Sequence, residues 1–308
     1  MRRDEGCEGA MGRRCDGTRV RWDEGAPCEG RAITSVTMNA SRMRAITSRQ
    51  NPVVARFRAL AESADPTGAR LLLDGVHLVR DAQESGHAFE IAAISASRLA
   101  SDSEEALIAR SLRRAGVDVI EAPDSVFAAM SPVRTPSGLV AIASRRPTSA
   151  SDMCGLPDAF VLVAIDVQDP GNIGALIRTA EAGGMTGMFA SGASANPFSW
   201  KAVRGSMGSA LRLPVVGGMT NALAMTCLRN GGIRSIAAVP RGGQGPDAID
   251  WRGKVALILG GEGAGVPDEV IRQSDLLVSI PMAARVESLN VAAAGAILVY
   301  AGRRQRGR

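Results

Sequence analysis

Apolar runs bounded by turn residues alternate with amphipathic segments along the second half of the chain. The run FVLVAID at 160–166 is typical of a buried parallel strand. The segment 172–184 then has the spacing of a helix that ends at a Gly-Gly pair. Its apolar positions share one face: Ile173, Leu176, Ile177 and Ala180. Because this alternation continues to the C-terminus, it predicts an α/β fold with helices on both faces of a parallel sheet.

A smaller unit with the same alternation precedes it. Its strand patterns lie at 70–75, 89–95, 117–122 and 138–144, and its helical patterns at 49–63, 76–86 and 104–116. The stretch that follows has the composition of a linker. We therefore predict four segments: a disordered extension at 1–45, a small α/β domain at 46–144, a linker at 145–157 and a second α/β domain at 158–308.

The extension is rich in Gly, Arg and acids and shows no sustained hydrophobic period, which is typical of disorder. Met38 or Met43 could equally be the true start of the protein. The N-terminus lacks the apolar core of a signal peptide, and no apolar run is long enough to cross a membrane. These features favour a cytoplasmic location.

Cysteine and histidine usage gives no support for a metal site. The five cysteines are irregularly spaced, and His77 and His87 are the two histidines, so no recognised ligand spacing can be assembled. We expect His77 to be structural and His87 to lie in a surface loop.

The net charge of +5 is unevenly distributed along the chain. Residues 1–50 contain ten arginines and seven acids, and the tail 302–308 contains four arginines and no acid, which leaves −2 on the body. Binding of RNA by the body would therefore depend on local basic patches.

Polar and glycine residues cluster where three strand patterns of the second domain end. The first cluster includes Asp166, Asn172, Gly174 and Arg178; the second is GGEGAG at 260–265; the third is ARVESLN at 284–290. Helix caps and tight turns could explain any one of them. Three together favour a ligand site, because open α/β sheets bind ligands at the carboxyl ends of their strands. The glycine spacing is not that of a dinucleotide fingerprint, which disfavours a nicotinamide-dependent oxidoreductase.

The segments DPGNIGALIRTA, LGGEGAGV and IPMAARVESLNVAAA resemble the three motifs of the SpoU/TrmH family in the SPOUT superfamily. The resemblance covers about residues 158–303. Residues 50–143 are similar, more weakly, to the family's accessory substrate-binding domain through LLLDGVHLVRDAQESG and RTPSGLVAIA.

This resemblance implies an S-adenosylmethionine-dependent RNA ribose 2′-O-methyltransferase. It also implies a deep trefoil knot, which strand patterns alone would not suggest because knots are nearly absent from proteins. A homodimer is a further implication, and the largely apolar final helix fits burial in its interface.

The motif match assigns residues to three roles. The catalytic and polar positions are Arg178, Asn172, Glu262, Ser288 and Asn290; the cofactor-binding positions are Gly260, Gly261, Ile280, Met282 and Leu289. Lys201 and Arg204 stand three residues apart on one helical face and are candidate phosphate contacts, with a solvated charged face as the alternative. Since guanidinium stays protonated in proteins, we interpret Arg178 as a phosphate clamp and alkoxide stabiliser rather than a base.

The leading hypothesis is methylation of 23S ribosomal RNA on guanosine or uridine, because the accessory domain resembles those of ribosomal RNA enzymes. A transfer RNA methyltransferase and a catalytically silent RNA-binding homologue are the alternatives. No metal is expected to take part.

Overall fold

The structure, a computed structural model, describes residues 43–283 and 285–307, so residues 1–42 of the predicted extension at 1–45 lie outside the described range. Within this range the strands form two sheets, which belong to one compact unit that begins at Met43. The strands are β1 Arg44–Ala45, β2 Arg70–Asp74, β3 Ala88–Ser95, β4 Val119–Ala122, β5 Leu139–Ser144, β6 Phe160–Ile165, β7 Gly187–Ser191, β8 Val215–Met219, β9 Arg234–Ala238, β10 Val255–Gly260 and β11 Leu276–Val278.

Helices connect these strands and carry most of the remaining core. They are α1 Pro52–Glu62, α2 Val76–Glu84, α3 Ala96–Leu99, α4 Glu104–Arg114, α5 Asp124–Phe127, α6 Ala150–Gly155, α7 Pro170–Ala182, α8 Trp200–Gly205, α9 Ser209–Arg212, α10 Asn221–Asn230, α11 Asp268–Gln273 and α12 Val291–Arg306. A 3-10 turn lies at Pro246–Ala248. No helix in the described part of the chain is long and apolar enough to cross a membrane.

The first sheet has the order β1-β4-β3-β5-β2 and mixes parallel with antiparallel pairs, since β5 runs against both β2 and β3. One face packs on α1 and α5, where Phe57 and Phe127 are buried. The other face packs on α2 and α4, where Val79 and Leu112 are buried. This half is therefore an α/β unit, as its alternating pattern predicts.

The second sheet has the order β11-β9-β10-β6-β7-β8, and all its pairs are parallel. Alternate residues of β6 explain the layers on its two faces. Phe160 and Leu162 face the core shared with α7, α8 and α12, whereas Val161 and Val163 face the core shared with α6 and α10. The predicted parallel sheet with helices on both faces is confirmed.

The structure changes several details of the sequence interpretation. Ordered structure begins before residue 46, because β1 pairs with β4 and Met43 is buried. The predicted linker contains α6, whose Met153 and Cys154 are buried against the second sheet. The helix that carries Lys201 and Arg204 ends at Gly205 and a separate helix follows, because Met207 and Gly208 take positive φ angles of 50° and 84° between them. The division into domains itself stays a prediction.

His87 is also placed differently from the expectation of a surface loop. It is half-buried, and its ring contacts backbone of both halves: Nδ1 lies 3.3 Å from Ser144 O and Nε2 lies 2.8 Å from Leu211 O. The nearby Arg145 is buried, donates to Val215 O at 2.9 Å and lies 4.7 Å above the Phe198 ring. Both side chains hold the two halves together.

Arg306, in the last turn of α12, fixes this helix against the second sheet. Its guanidinium donates to Trp251 O at 2.6 Å and Gly253 O at 2.7 Å, and it forms an ion pair with Asp158. The same group lies 4.7 Å from the centroid of the Phe160 ring. Part of the basic tail is therefore structural rather than free to bind other molecules.

We expect Arg306→Ala to lower the free energy of unfolding by about 3 kcal/mol, because it removes a guanidinium that is 3% exposed and leaves the Trp251 and Gly253 carbonyls and the Asp158 carboxylate without their donor. The matched control is Arg304→Ala, since Arg304 is 71% exposed and pairs with the exposed Asp247. This control should cost less than about 1 kcal/mol. Equal losses in urea denaturation of the two variants would contradict the assignment.

Candidate active site

The three motif segments meet at the carboxyl edge of the second sheet. The pairing of β10 with β6 places Gly260 beside Ile165, so the loop after β10 lies against the turn after β6. The chain after β11 returns to the same edge before α12 begins. This arrangement brings together segments that are more than a hundred residues apart in sequence.

Loop 260–265 approaches its neighbours more closely than any side chain would permit. A Cβ on Gly260 would lie 2.0 Å from the Gly265 carbonyl carbon, and one on Gly261 would lie 1.9 Å from Asp166 O. Gly263 has a φ of 93°, which favours glycine. Glycine is therefore required here by space at the first two positions and by backbone conformation at the third.

A cleft of about 490 Å³ opens between this loop, the ends of β9 and β11, and the start of α12. All five sequence-predicted cofactor positions line it: Gly260, Gly261, Ile280, Met282 and Leu289. Leu259, Val291 and Leu298 add apolar wall. Its size and largely apolar lining are typical of a small-molecule site. A second cleft of about 610 Å³ adjoins it and shares Pro240, Ile280 and Met282.

Three predicted polar residues form a hydrogen-bonded cluster at this cleft. Asn172 Nδ2 donates to Glu262 Oε1 at 2.5 Å. Asn290 Nδ2 lies 3.1 Å from Asn172 Oδ1 and 3.4 Å from Glu262 Oε1. Each residue comes from a different motif segment, so the cluster connects the three segments beside the cleft.

Asn290 has a second function as the N-cap of α12. Its Oδ1 accepts from Ala292 N at 2.9 Å and from Ala293 N at 3.3 Å. The two readings of this segment, as a cap or as a ligand site, are thus compatible. The carbonyl end of one side chain caps the helix while its amide end joins the polar cluster.

The remaining predicted residues are more dispersed. Ser288 lines the cleft. Arg178 is exposed on α7 and makes no ion pair or hydrogen bond within residues 43–283 and 285–307. Lys201 and Arg204 are exposed on α8, with Lys201 Nζ 5.6 Å from the centroid of the Trp200 ring.

Two carboxylates prepare the β6–α7 turn and are absent from the sequence-predicted roles. Asp166 has a φ of 57°, and its Oδ1 accepts from Ala193 N at 2.7 Å. Asp169 caps α7 by accepting from Asn172 N at 2.8 Å. The Asp-Pro pair before a helical pattern signals the cap. Nothing in the local sequence signals the left-handed conformation of Asp166.

Metal ligation finds no geometric support in the described residues. No three His, Cys, Asp or Glu side chains converge there. The expectation of metal-independent activity stays a prediction.

Known proteins resemble this chain in sequence and fold. A profile of the SpoU rRNA methylase family matches residues 159–300. An uncharacterized tRNA/rRNA methyltransferase of Synechocystis is 32% identical over 268 residues, which cover 86% of this chain and 96% of that protein. The chain belongs to the SpoU family.

Further similarities span both halves of this SpoU protein. The 23S rRNA (guanosine(2553)-2′-O)-methyltransferase of Bacillus subtilis is 31% identical over 84% of this chain and 98% of its own length. The structure of an AdoMet-bound rRNA methyltransferase from Sinorhizobium meliloti aligns with a TM-score of 0.74 and 29% identity, covering 85% of this chain and 98% of that chain. The predicted family and α/β fold are confirmed.

Asn290→Asp should separate capping from the function of the cluster. An aspartate keeps the oxygen that caps α12 but replaces the amide donor with a negative charge beside Glu262. We expect the melting temperature to change little. The affinity for the methyl donor or the rate of methyl transfer should fall at least about tenfold.

Asn290→Ala is the matched control, because it removes both functions. It should lower the free energy of unfolding by about 1 kcal/mol in addition to its functional loss. Wild-type activity in Asn290→Asp, measured with the fold intact by circular dichroism, would exclude the amide from the site.

Proposed function

We propose that this SpoU protein transfers a methyl group from S-adenosylmethionine to a ribose 2′-OH of structured RNA. The observation that carries the proposal is the junction of an apolar cleft, a glycine loop and the Asn172–Glu262–Asn290 cluster. A cytoplasmic location and independence from metal are parts of the same proposal.

S-adenosylmethionine fits the cleft in size and chemistry. Leu259, Ile280 and Leu298 offer apolar surface for an adenine ring. Gly260 and Gly261 line the cleft, so their backbone groups are within reach of polar atoms of the ligand. When bound, the cofactor supplies an electrophilic methyl group on a sulfonium. The solved structure of the AviRb methyltransferase from Streptomyces viridochromogenes, which aligns with a TM-score of 0.71 and 26% identity, contains AdoMet.

The residues of this chain would bind and orient the acceptor. Glu262 and Asn290 line the cleft and hold the Asn172 side chain in place beside it, so the three polar side chains together can orient the ribose. Arg178 carries a permanent positive charge that no carboxylate of the described range neutralises. We assign it to the phosphate next to the target ribose and to the negative charge that develops on O2′. Ser288 lines the same cleft and can orient the ribose.

Ribosomal RNA is the proposed substrate, and 23S RNA in particular. The Bacillus subtilis relative, whose name specifies 23S rRNA and guanosine, matches both halves of this chain rather than the catalytic half alone. We accordingly assign residues 46–144 to substrate choice. Transfer RNA is the second candidate, since the Synechocystis relative is named for both RNAs.

The test is to incubate the full chain with S-adenosylmethionine and either unmodified 23S RNA or transfer RNA, and to identify methylated nucleosides by mass spectrometry. We expect 2′-O-methylguanosine in 23S RNA. Arg178→Ala should reduce the rate by about a hundredfold or more, since a transition-state donor is lost. Arg178→Lys should recover only part of it, because lysine lacks the planar two-point fork.

S-adenosylmethionine binding, measured by calorimetry, should survive in both Arg178 variants. A base-methylated product or methylation confined to transfer RNA would overturn the substrate assignment. Binding without any transfer would identify a silent homologue, and wild-type turnover in Arg178→Lys would contradict the assigned geometry.

A trefoil knot and a homodimer are included in this proposal. Support for the knot comes from the return of the chain after the edge strand β11 to the centrally placed turn after β6, where Asn290 contacts Asn172. Support for the dimer comes from α12, whose outer face exposes Ile297 and Tyr300 at 44% and 46%. Exposed apolar side chains in one row are typical of an interface.

We expect Ile297→Asp to convert a dimer into monomers, because a buried carboxylate without a partner is strongly unfavourable in an apolar interface. The measurement is sedimentation velocity of the full chain. Leu107→Asp is the matched control, since Leu107 is 59% exposed on α4 of the other half. A wild-type monomer, or dissociation by both variants, would refute this interface.

A further inference from the structure

Asp74 lies at the junction of the two halves, where β2 and loop 131–138 of the first half meet α8 of the second. Asp74 ends β2, and its Oδ2 accepts a 2.6 Å hydrogen bond from Ser131 Oγ. Burial raises the pKa of this carboxyl above its ordinary value, and Ser131, Ser137 and the charge of Arg204 offset only part of that rise. The two serines flank one loop of the first half, whereas Arg204 lies on α8 of the second half. The carboxylate is thus hydrogen-bonded to the loop, while α8 packs against β2 and, through Trp200, against the core of the first half.

Loop 131–138 is held near both of its ends and presents a cation from its middle. Arg134 is exposed and makes no hydrogen bond or ion pair with the residues that the structure describes. Pro132 and Pro136 restrict the backbone on either side of it. A stiff, anchored loop presents Arg134 at low entropic cost, which suits binding rather than random solvation.

Helix α8 connects this loop to the active site. A Cβ on Gly174 would lie 2.5 Å from Ala202 O and 2.9 Å from Gly205 Cα, so α8 and the first turns of α7 are in backbone contact. Asn172 of the polar cluster lies in that same part of α7. Arg204 directly precedes Gly205. Helix α8 therefore lies between the junction and the polar cluster, in contact with the helix that carries Asn172.

We propose that loop 131–138 and α8 form a wall along which the RNA backbone reaches the acceptor site, with Asp74 as the positioning residue that holds the loop, and with it Arg134, in place. This inference rests on the proposed function and deepens it. In a chain body of net charge −2, Arg134, Lys201 and Arg204 would supply local phosphate contacts in addition to that of Arg178. The first half then acts beside the target nucleotide as well as in choosing the RNA.

The experiment measures binding of a 23S RNA transcript by fluorescence anisotropy at several salt concentrations, together with KM and kcat for methyl transfer. Arg134→Gln and Arg204→Gln should each weaken binding by roughly tenfold and flatten the plot of log K against log salt by about one unit, as loss of one phosphate contact predicts. KM should rise far more than kcat falls. Arg110→Gln, which replaces an exposed arginine on α4 that is not part of the proposed wall, is the matched control and should change neither quantity.

Asp74→Ala tests the positioning role through a double-mutant cycle with Arg134→Gln. Because Asp74 acts through the loop, the double variant should bind RNA no more than about twofold worse than the weaker-binding single variant. Asp74→Asn keeps an acceptor for Ser131 but removes the charge beside Arg204, so it should give a smaller loss with an unchanged or higher melting temperature.

The proposed wall would be contradicted by additive losses in the cycle. It would also be contradicted if Arg134→Gln had the same affinity and salt slope as Arg110→Gln. Both outcomes are read from RNA binding. They are therefore distinguishable from failure of the proposed function, in which the wild-type protein would bind the same transcript without methylating a ribose.

Discussion

The contact between the Gly260–Gly261 backbone and its neighbours is the constraint on which the site depends. Gly261 lies against the carbonyl of Asp166, so the loop after β10 and the turn after β6 have no room for a side chain between them. This contact holds Glu262 within hydrogen-bond distance of Asn172. The strained φ of Asp166 is maintained by a hydrogen bond from Ala193. A side chain at position 261 would separate the two loops and with them the polar cluster.

Positive charge serves different purposes in different parts of the molecule. In the C-terminal turn of α12, Arg303 donates to Ala182 O and Arg306 to Trp251 O, so these arginines stabilise the fold. Arg212 is likewise occupied by Glu181, with nitrogen–oxygen distances of 2.7 and 2.9 Å. Arg178 has no such partner in the described range. The arginines of this chain therefore differ in function according to the acceptors near them, which net charge does not reveal.

Local patterns predict the second sheet well, because buried parallel strands and amphipathic helices each have a period that sequence displays directly. They predict the cleft residues only through the family motifs. Asn290 illustrates the limit: its cap is local and readable, while its contact with Asn172 spans 118 residues. The sequence does not predict the helix break at Met207, because nothing in the local sequence signals a methionine with positive φ. The placement of His87 between the halves is missed because it depends on the packing of two units.

Helix α12 combines three of these features: the Asn290 cap at its N-terminus, an exposed apolar face, and the Arg306 contacts in its last turn. Its N-terminus is fixed by Asn290 in the polar cluster, and its C-terminal turn is fixed by Arg306 against Phe160 and Asp158 at the start of β6. Gly295 permits close contact with Leu176 of α7 between these ends. Contacts at both ends therefore fix α12 within the chain, and its N-terminal contacts place Asn290 beside Glu262. The position of Asn290 in the polar cluster therefore depends on how α12 packs within the chain.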